Sequence, residues 1–291
     1  MNALPLVTVI IPVRNERAFV ERSLRSVLAQ DYSLERLQVL VVDGMSSDGT
    51  RQVVLRLLEQ CRKSSDDEEP KKDHASGCCK SLGSIRLLDN PSAIVPTALN
   101  IGLDHAGGDI IFRLDGHSEM APNYISACVA KLRERPEVAC VGGRSLAVGS
   151  RWIGRGYALA LQSPFGVGGR TFRTLQTERS VDTLAFGGYR REVFTKLGGF
   201  DPELARNQDV KFNADLRKSG GTLLLIPDTH TLYHAPRTLW AVIRQNYANG
   251  RWNTKLLDKM RGALSVRHFV PLFFVLSLAA FSFFRRVQLL S

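Results

Sequence analysis

A chain of 291 residues with 44% apolar residues can bury one large α/β core or two smaller ones. Its formal charge of +11, from 39 Lys and Arg against 28 Asp and Glu, favours anionic partners: nucleotide diphosphates, phospholipid headgroups or nucleic acid. The five cysteines (Cys61, Cys78, Cys79, Cys128, Cys140) lack paired metal-ligand spacing, and two lie in apolar segments, as in a reduced, cytosolic protein.

Val7 to Pro12 is a β-branched run closed by proline, which reads as a buried strand. It is too short for a signal-peptide core and has no basic stretch before it, so no leader is expected. Asn15 and Glu16 form a polar turn. A helix then places Phe19, Val20, Leu24, Val27 and Leu28 on one face. Val39 to Val42 is a second strand ending in Asp43-Gly44, and Ser46 to Thr50 supply a loop and a helix cap. From Arg62 to Ser84 the chain is almost wholly Ser, Asp, Glu, Lys and Gly, which predicts a solvated, disordered insertion. Ile85 to Leu88 is a third strand, Pro96 opens a helix to Ala106, and Asp109 to Leu114 is a fourth strand.

Three strand–helix alternations call for right-handed crossovers and a mainly parallel sheet. Asp43 and Asp115 then stand at carboxyl ends of strands on one rim, where open α/β sheets bind ligands. Asp115 and His117 flank Gly116. A carboxylate and an imidazole so placed suit Mn²⁺ better than Mg²⁺, although a simple Asp-Gly turn gives the same pattern.

Beyond Pro122 a helix carries Ile125, Cys128, Val129 and Leu132, and Val138 to Val141 is a further strand. Ser163 to Arg170 is glycine-rich, but it does not open a helix directly after a strand, as a dinucleotide fingerprint must. It reads as a close-packed, flexible loop over the site. Glu192 to Leu197 is helical. Asn207-Gln208-Asp209 opens a helix through Leu216, where Asp209 is either a cap or a functional carboxylate. Leu223 to Pro227 is a late strand, Leu239 to Tyr247 is amphipathic, and Gln245 to Trp252 mixes aromatic and basic groups. Phe269 to Phe284 is a 16-residue run without charge, flanked by Arg261, Arg267, Arg285 and Arg286. Slightly shorter than the roughly 20 residues of a bilayer span, it is expected to be a membrane segment rather than a core helix.

Taken together, these pieces resemble the family 2 glycosyltransferases with the GT-A nucleotide-sugar fold, and among them the succinoglycan-type exopolysaccharide glucosyltransferases. The resemblance rests on Val9 to Glu16, Val42 to Thr50, Phe112 to His117, Gly187 to Phe194, and Gly198 to Asp201 with Arg206 to Asp209, spanning about Val7 to Trp252. It implies an α/β catalytic domain over 1–232 (with 62–84 inserted), an acceptor-side segment over 233–262 and a membrane segment over 263–291.

By the same resemblance Pro12, Asn15, Glu16, Asp43, Asp48 and Asp115 bind the nucleotide sugar, with Asp43 on the base and Asp115 on ribose and metal. His117 stands where the family's second metal-binding Asp would be, and Asp209 matches the catalytic base, preceded by Gln208 where many relatives have Glu. Gln245, Arg251 and Trp252 resemble a Gln-x-x-Arg-Trp motif at wider spacing, and Asp182 and Arg237 join them on the acceptor side.

The implied reaction moves a hexose with inversion from a UDP-sugar, expected to be UDP-glucose, to a lipid-linked saccharide or polysaccharide. A divalent ion (Mn²⁺ or Mg²⁺) is implied, and the work is placed at the cytoplasmic side of the inner membrane. Lys211-Phe212 after Asp209 departs from the family pattern and leaves a binding or scaffold protein without turnover as the alternative. A dehydrogenase is disfavoured because Pro12 to Glu16 has no glycines for a pyrophosphate. Scattered basic residues without a recognised module argue against nucleic acid.

Overall fold

The computed structural model describes residues 3–66, 84–163, 173, 174 and 176–259, and further on Phe273, Leu276, Ser277 and Phe281. Residues 67–83, most of the 163–170 loop and nearly all of the 263–291 segment lie outside the described residues, as do Cys78 and Cys79.

The first half follows the expected alternation. Strand β1 (Val7–Val13) is buried at every position and pairs in parallel with β2 (Leu37–Asp43) and β4 (Ile110–Arg113). β3 (Ser84–Asp89) extends the sheet beside β2. Helix α1 (Val20–Leu28) buries Val20, Leu24, Val27 and Leu28, the i, i+4, i+7, i+8 stripe that covers one face of these strands. Helix α2 (Thr50–Asp66) runs four residues past Arg62, so the insertion begins later than its composition suggested. Pro96 sits in the first turn of α3 (Val95–His105), where its missing N–H costs nothing. Fully buried Phe112, Leu114, Ile10 and Leu40 knit the layers, each worth about 1.5–3 kcal/mol of burial.

The second half is not mainly parallel, and here the expectation is corrected. After the short β5 (Ser118–Met120) and α4 (Tyr124–Glu134) come β6 (Val138–Val148), α5 (Trp152–Gln162), β7 (Arg179–Ser180) and β8 (Gly188–Arg190). Then follow α6 (Arg191–Leu197), α7 (Gln208–Lys218), β9 (Thr222–His234) and α8 (Leu239–Lys259). β8 is antiparallel to both β4 and β6, β6 is parallel to β9, and β5 and β7 run antiparallel to β9. The sheet order is β3-β2-β1-β4-β8-β6-β9-β5, a mixed sheet flanked by helices.

β6 and β9 both outrun the sequence reading, which stopped them at Val141 and Pro227. A register shift between Gly143 and Arg144 absorbs Pro227, whose neighbours Ile226 and His230 pair with those two residues. Gly143 is required there, since a Cβ would stand 2.5 Å from the Thr229 carbonyl oxygen. Among the described residues no helix is long and apolar enough to cross a membrane.

Candidate active site

At the carboxyl ends of β1 to β4 the loops open onto a cavity of about 490 Å³, within the range of small-molecule sites. Its wall takes Pro12, Glu16, Asp115, His117, Asp209 and Gln245 from the sequence candidates. Beside them stand Arg173 and Tyr233, which lay in no motif, and Arg14, Arg206 and Asn249, which lay in motif stretches without an assigned role.

Arg113 organises the floor. Its side chain is 8% exposed; Nη2 donates to Asp115 Oδ1 at 2.8 Å, and Nη1 lies 3.6 Å from Asp209 Oδ2. The guanidinium also stands 5.9 Å from the Phe186 ring centre. Burial works against the cation, but the two carboxylates outweigh it and hold the guanidinium more firmly charged than usual. Asp115 shows the converse: burial would raise its pKa, yet Arg113 and His117 bring it below the usual carboxylate range. Nη1 and Nε of Arg113 are buried without a hydrogen bond, an arrangement that natural structures seldom tolerate away from function. One cation thus joins two carboxylates that are 94 residues apart in sequence, Asp115 just past β4 and Asp209 in the first turn of α7.

His117 Nδ1 lies 2.8 Å from Glu16 Oε1. Burial would lower the His117 pKa, but the hydrogen bond to Glu16 raises it above the usual value. A carboxylate on one ring nitrogen is the usual support for a histidine that ligates through the other. Gly116 makes this packing possible, since a Cβ there would meet Val13 Cγ1 at 2.8 Å. Among the described residues no cluster of three or more His, Cys, Asp or Glu could enclose an ion. The sequence candidates Asp115 and His117 would by themselves offer two donors. That fits a Mn²⁺ or Mg²⁺ completed by substrate phosphates and water.

Asp209 sits in the first turn of α7 and accepts the Val210 N–H at 3.0 Å, so it does serve the helix start. The backbone before it is strained: Asn207, the N-cap, has φ +61°. Left-handed backbone also occurs at Asn15, Met45 and Ala93, each following a strand of the parallel half. Such conformations cost on the order of 1 kcal/mol or more and cluster at functional sites. Lys211 turns along its own helix to Asp215 at 2.9 Å. The departure it represents therefore leaves Asp209 unobstructed.

Several candidates stand outside the cavity wall. Asp43 is 1% exposed, accepts from Ser46 N and Oγ, and has Arg51 at 3.6 Å; its neighbour Gly44 lines the cavity instead. Asn15 donates its N–H to that same Ser46 hydroxyl and accepts from Ser47, so it ties the loops after β1 and β2 together. Asp48 supports its loop: Oδ1 accepts from the Thr50 N–H and hydroxyl, and Oδ2 from the Arg17 N–H. Its burial would raise the pKa, yet the Thr50 hydroxyl and amide and the Arg17 amide bring it below the usual range. Asp182 is half-buried elsewhere, and Arg237 is stacked 5.3 Å from the Phe19 ring centre.

On α8, Gln245 donates to the Tyr233 hydroxyl, while Arg251 is exposed and Trp252 packs on Leu204 and Ala214. Asn249, one turn from Gln245, takes the place expected of Arg251, because i and i+4 share a helix face and i+6 does not. The buried Arg113 inside an otherwise apolar strand was the one available sequence signal for the floor.

The model of the family described as "Glycosyl transferase family 2" matches residues 8–198. The succinoglycan biosynthesis protein ExoA of Rhizobium meliloti is 26% identical over 271 residues, 91% of this chain and 74% of that protein. A dolichyl N-acetyl-α-D-glucosaminyl phosphate 3-β-D-2,3-diacetamido-2,3-dideoxy-β-D-glucuronosyltransferase of Methanococcus voltae is 24% identical over 249 residues, 84% of this chain and 71% of that protein. Among solved structures, the mannosyltransferase PcManGT of Pyrobaculum calidifontis, in complex with GDP-Man and Mn²⁺, superposes with a TM-score of 0.61 at 22% identity. That match covers 93% of this chain and 68% of PcManGT, and shows a shared GT-A fold.

Proposed function

Since the chain belongs to glycosyl transferase family 2 and is a glycosyltransferase, we propose that it moves a hexose from a UDP-sugar, UDP-glucose foremost, to a lipid-linked saccharide or polysaccharide. The observation that carries this reading is Arg113, which holds the donor-side Asp115 and the Asp209 carboxylate across one cavity floor. Relatives named for succinoglycan synthesis and for transfer to a dolichyl-linked sugar support the acceptor class.

In this reading Asp115 and His117 would hold a divalent ion which, when bound, supplies positive charge for the departing diphosphate. Arg14, Arg173 and Arg206 add donors around the same phosphates, and Arg14 is aimed by its 2.8 Å bond to the Ala93 carbonyl. Asp209 takes the proton of the attacking acceptor hydroxyl, an assistance worth about 10²–10⁴-fold. Arg113 fixes the distance between that base and the donor, and its unmade Nη1 hydrogen bond is completed when the site fills. With Asp209 as the base, Glu16 engaged with His117 and Asp115 with Arg113, the sugar is displaced once, with inversion. The segment 263–291 keeps the enzyme at the cytoplasmic face of the inner membrane.

Calorimetric titration of UDP and GDP, each with Mn²⁺ and with EDTA, tests the donor and the ion. The expected result is UDP binding that weakens in EDTA and exceeds GDP binding. Equal UDP affinity in EDTA contradicts the ion site, and preference for GDP contradicts the donor.

A further inference from the structure

Helices α5 and α8 each carry exposed apolar residues that the cavity does not use. Trp152 is 82% exposed, Trp240 72%, Leu159 70% and Tyr247 69%. Trp240, Ile243 and Tyr247 follow the i, i+3, i+7 spacing of one helix face. The two helices are neighbours, since Asn246 of α8 donates to the Tyr157 hydroxyl of α5. Exposed basic side chains accompany them: Arg151 at the N-cap of α5, Arg155 on α5, and Arg244 and Arg251 on α8. No acidic residue occurs from Ser150 to Gln162 or from Thr229 to Leu257, and among the described residues none of the four arginines has a carboxylate partner.

We propose that this α5–α8 face lies in the headgroup layer of an anionic bilayer. Contiguous exposed apolar surface marks an interaction site. Amphipathic helices that present Trp, Tyr and aliphatic residues among arginines lie at the membrane interface. The aliphatic Leu159 and Ile243 suit acyl chains rather than stacked bases, and the uninterrupted positive charge matches anionic lipid rather than a mixed-charge protein surface. The sequence continues the theme, with the uncharged run Phe269 to Phe284 starting ten residues after α8 ends at Lys259.

The inner side of the same α8 brings Gln245 and Asn249 to the cavity wall. A bilayer against its outer side therefore stands about one helix diameter, roughly 10 Å, from the site. This docking goes beyond anchoring by 263–291 and does not depend on which nucleotide the enzyme uses.

The chain has three tryptophans, Trp152, Trp240 and the half-buried Trp252, none of them in the 263–291 segment. Their emission can therefore report this face separately from that segment. The test uses the full chain with phosphatidylcholine vesicles, with and without phosphatidylglycerol, carrying dibrominated lipid as a quencher. With phosphatidylglycerol the emission shifts to the blue and is quenched. Trp152→Phe with Trp240→Phe removes the quenched part and leaves the Trp252 signal. Arg155→Gln and Arg244→Gln each lower partition by about fivefold, the value of one basic residue near an anionic surface. Vesicle-bound protein with unquenched tryptophans would overturn the proposal and leave this face to a protein partner. Failure to bind vesicles, or quenching that survives the double tryptophan variant, would overturn it as well.

Discussion

The parallel half of the sheet, β1 to β4, and the mixed half around β6, β8 and β9 meet at Arg113, yet they prepare their chemistry differently. In the parallel half each polar residue stands just past the carboxyl end of a strand and is bound to the next loop. Asn15, Ser46 and Asp43 form one hydrogen-bonded chain, and Asp48 closes the turn beside it. Among the described residues, three of the four left-handed non-glycine residues, Asn15, Met45 and Ala93, belong to these loops. The mixed half delivers Asp209 from a helix start, Tyr233 from a long strand and Gln245 from α8, with fewer bonds among them. The parallel half is thus preorganised by its backbone, and the mixed half assembles its side of the cavity from elements distant in sequence.

The sharpest way to break the comparison is to remove the junction. Arg113→Met should cost about 3 kcal/mol of stability, the low end for an orphaned buried pair, because Asp115 and Asp209 are 27% and 25% exposed. Chemical denaturation measures it, and a loss below 1 kcal/mol would mean that the halves are not joined there.

A smaller effect is expected inside the preorganised half. Asp43→Ala removes the acceptor of the Ser46 N–H and hydroxyl and should cost about 1–3 kcal/mol. UDP affinity should fall by about tenfold through the loosened loop, equally with Mn²⁺ and with EDTA, as about 1.4 kcal/mol of binding. Calorimetry on the folded variant decides, and unchanged affinity would show that the loop network is not preorganising the site.

The smallest effect is Asp48→Ala, about 0.5–2 kcal/mol for a lost cap with UDP affinity retained. The sign with pH follows from its depressed folded-state pKa. The wild-type contribution is complete above the unfolded value near 3.9 and is lost as pH falls through the lower folded value. The melting difference between the two proteins should therefore shrink only below about pH 4. A difference that disappears near neutrality would assign the effect elsewhere.

The parallel half was legible because β-branched runs end in Asp43-Gly44 and Asp115-Gly116, so period and turn chemistry agree. The mixed half was not. Gly142-Gly143-Arg144 and Pro227 look like strand ends, but they mark a bulge in two strands that continue to Val148 and His234. Helix α5 carries exposed Trp152 and Leu159, so its apolar residues do not trace a core-facing stripe. Gln245 reaches the cavity wall and Arg251 does not, because residues six apart turn to different helix faces. The arginines of the cavity escaped because each is isolated in sequence and only the fold gathers them.

The central claim is that Asp209, held opposite Asp115 by Arg113, is the base for sugar transfer. Asp209→Asn keeps an oxygen for the Val210 N–H, so the fold and UDP affinity should be preserved. Transfer of labelled sugar from UDP-glucose by this variant, measured beside its melting temperature, tests the claim most directly. Transfer should fall by about 10²-fold or more with melting nearly unchanged. A variant that melts early yet transfers sugar at close to the wild-type rate would contradict it and leave Asp209 a helix cap.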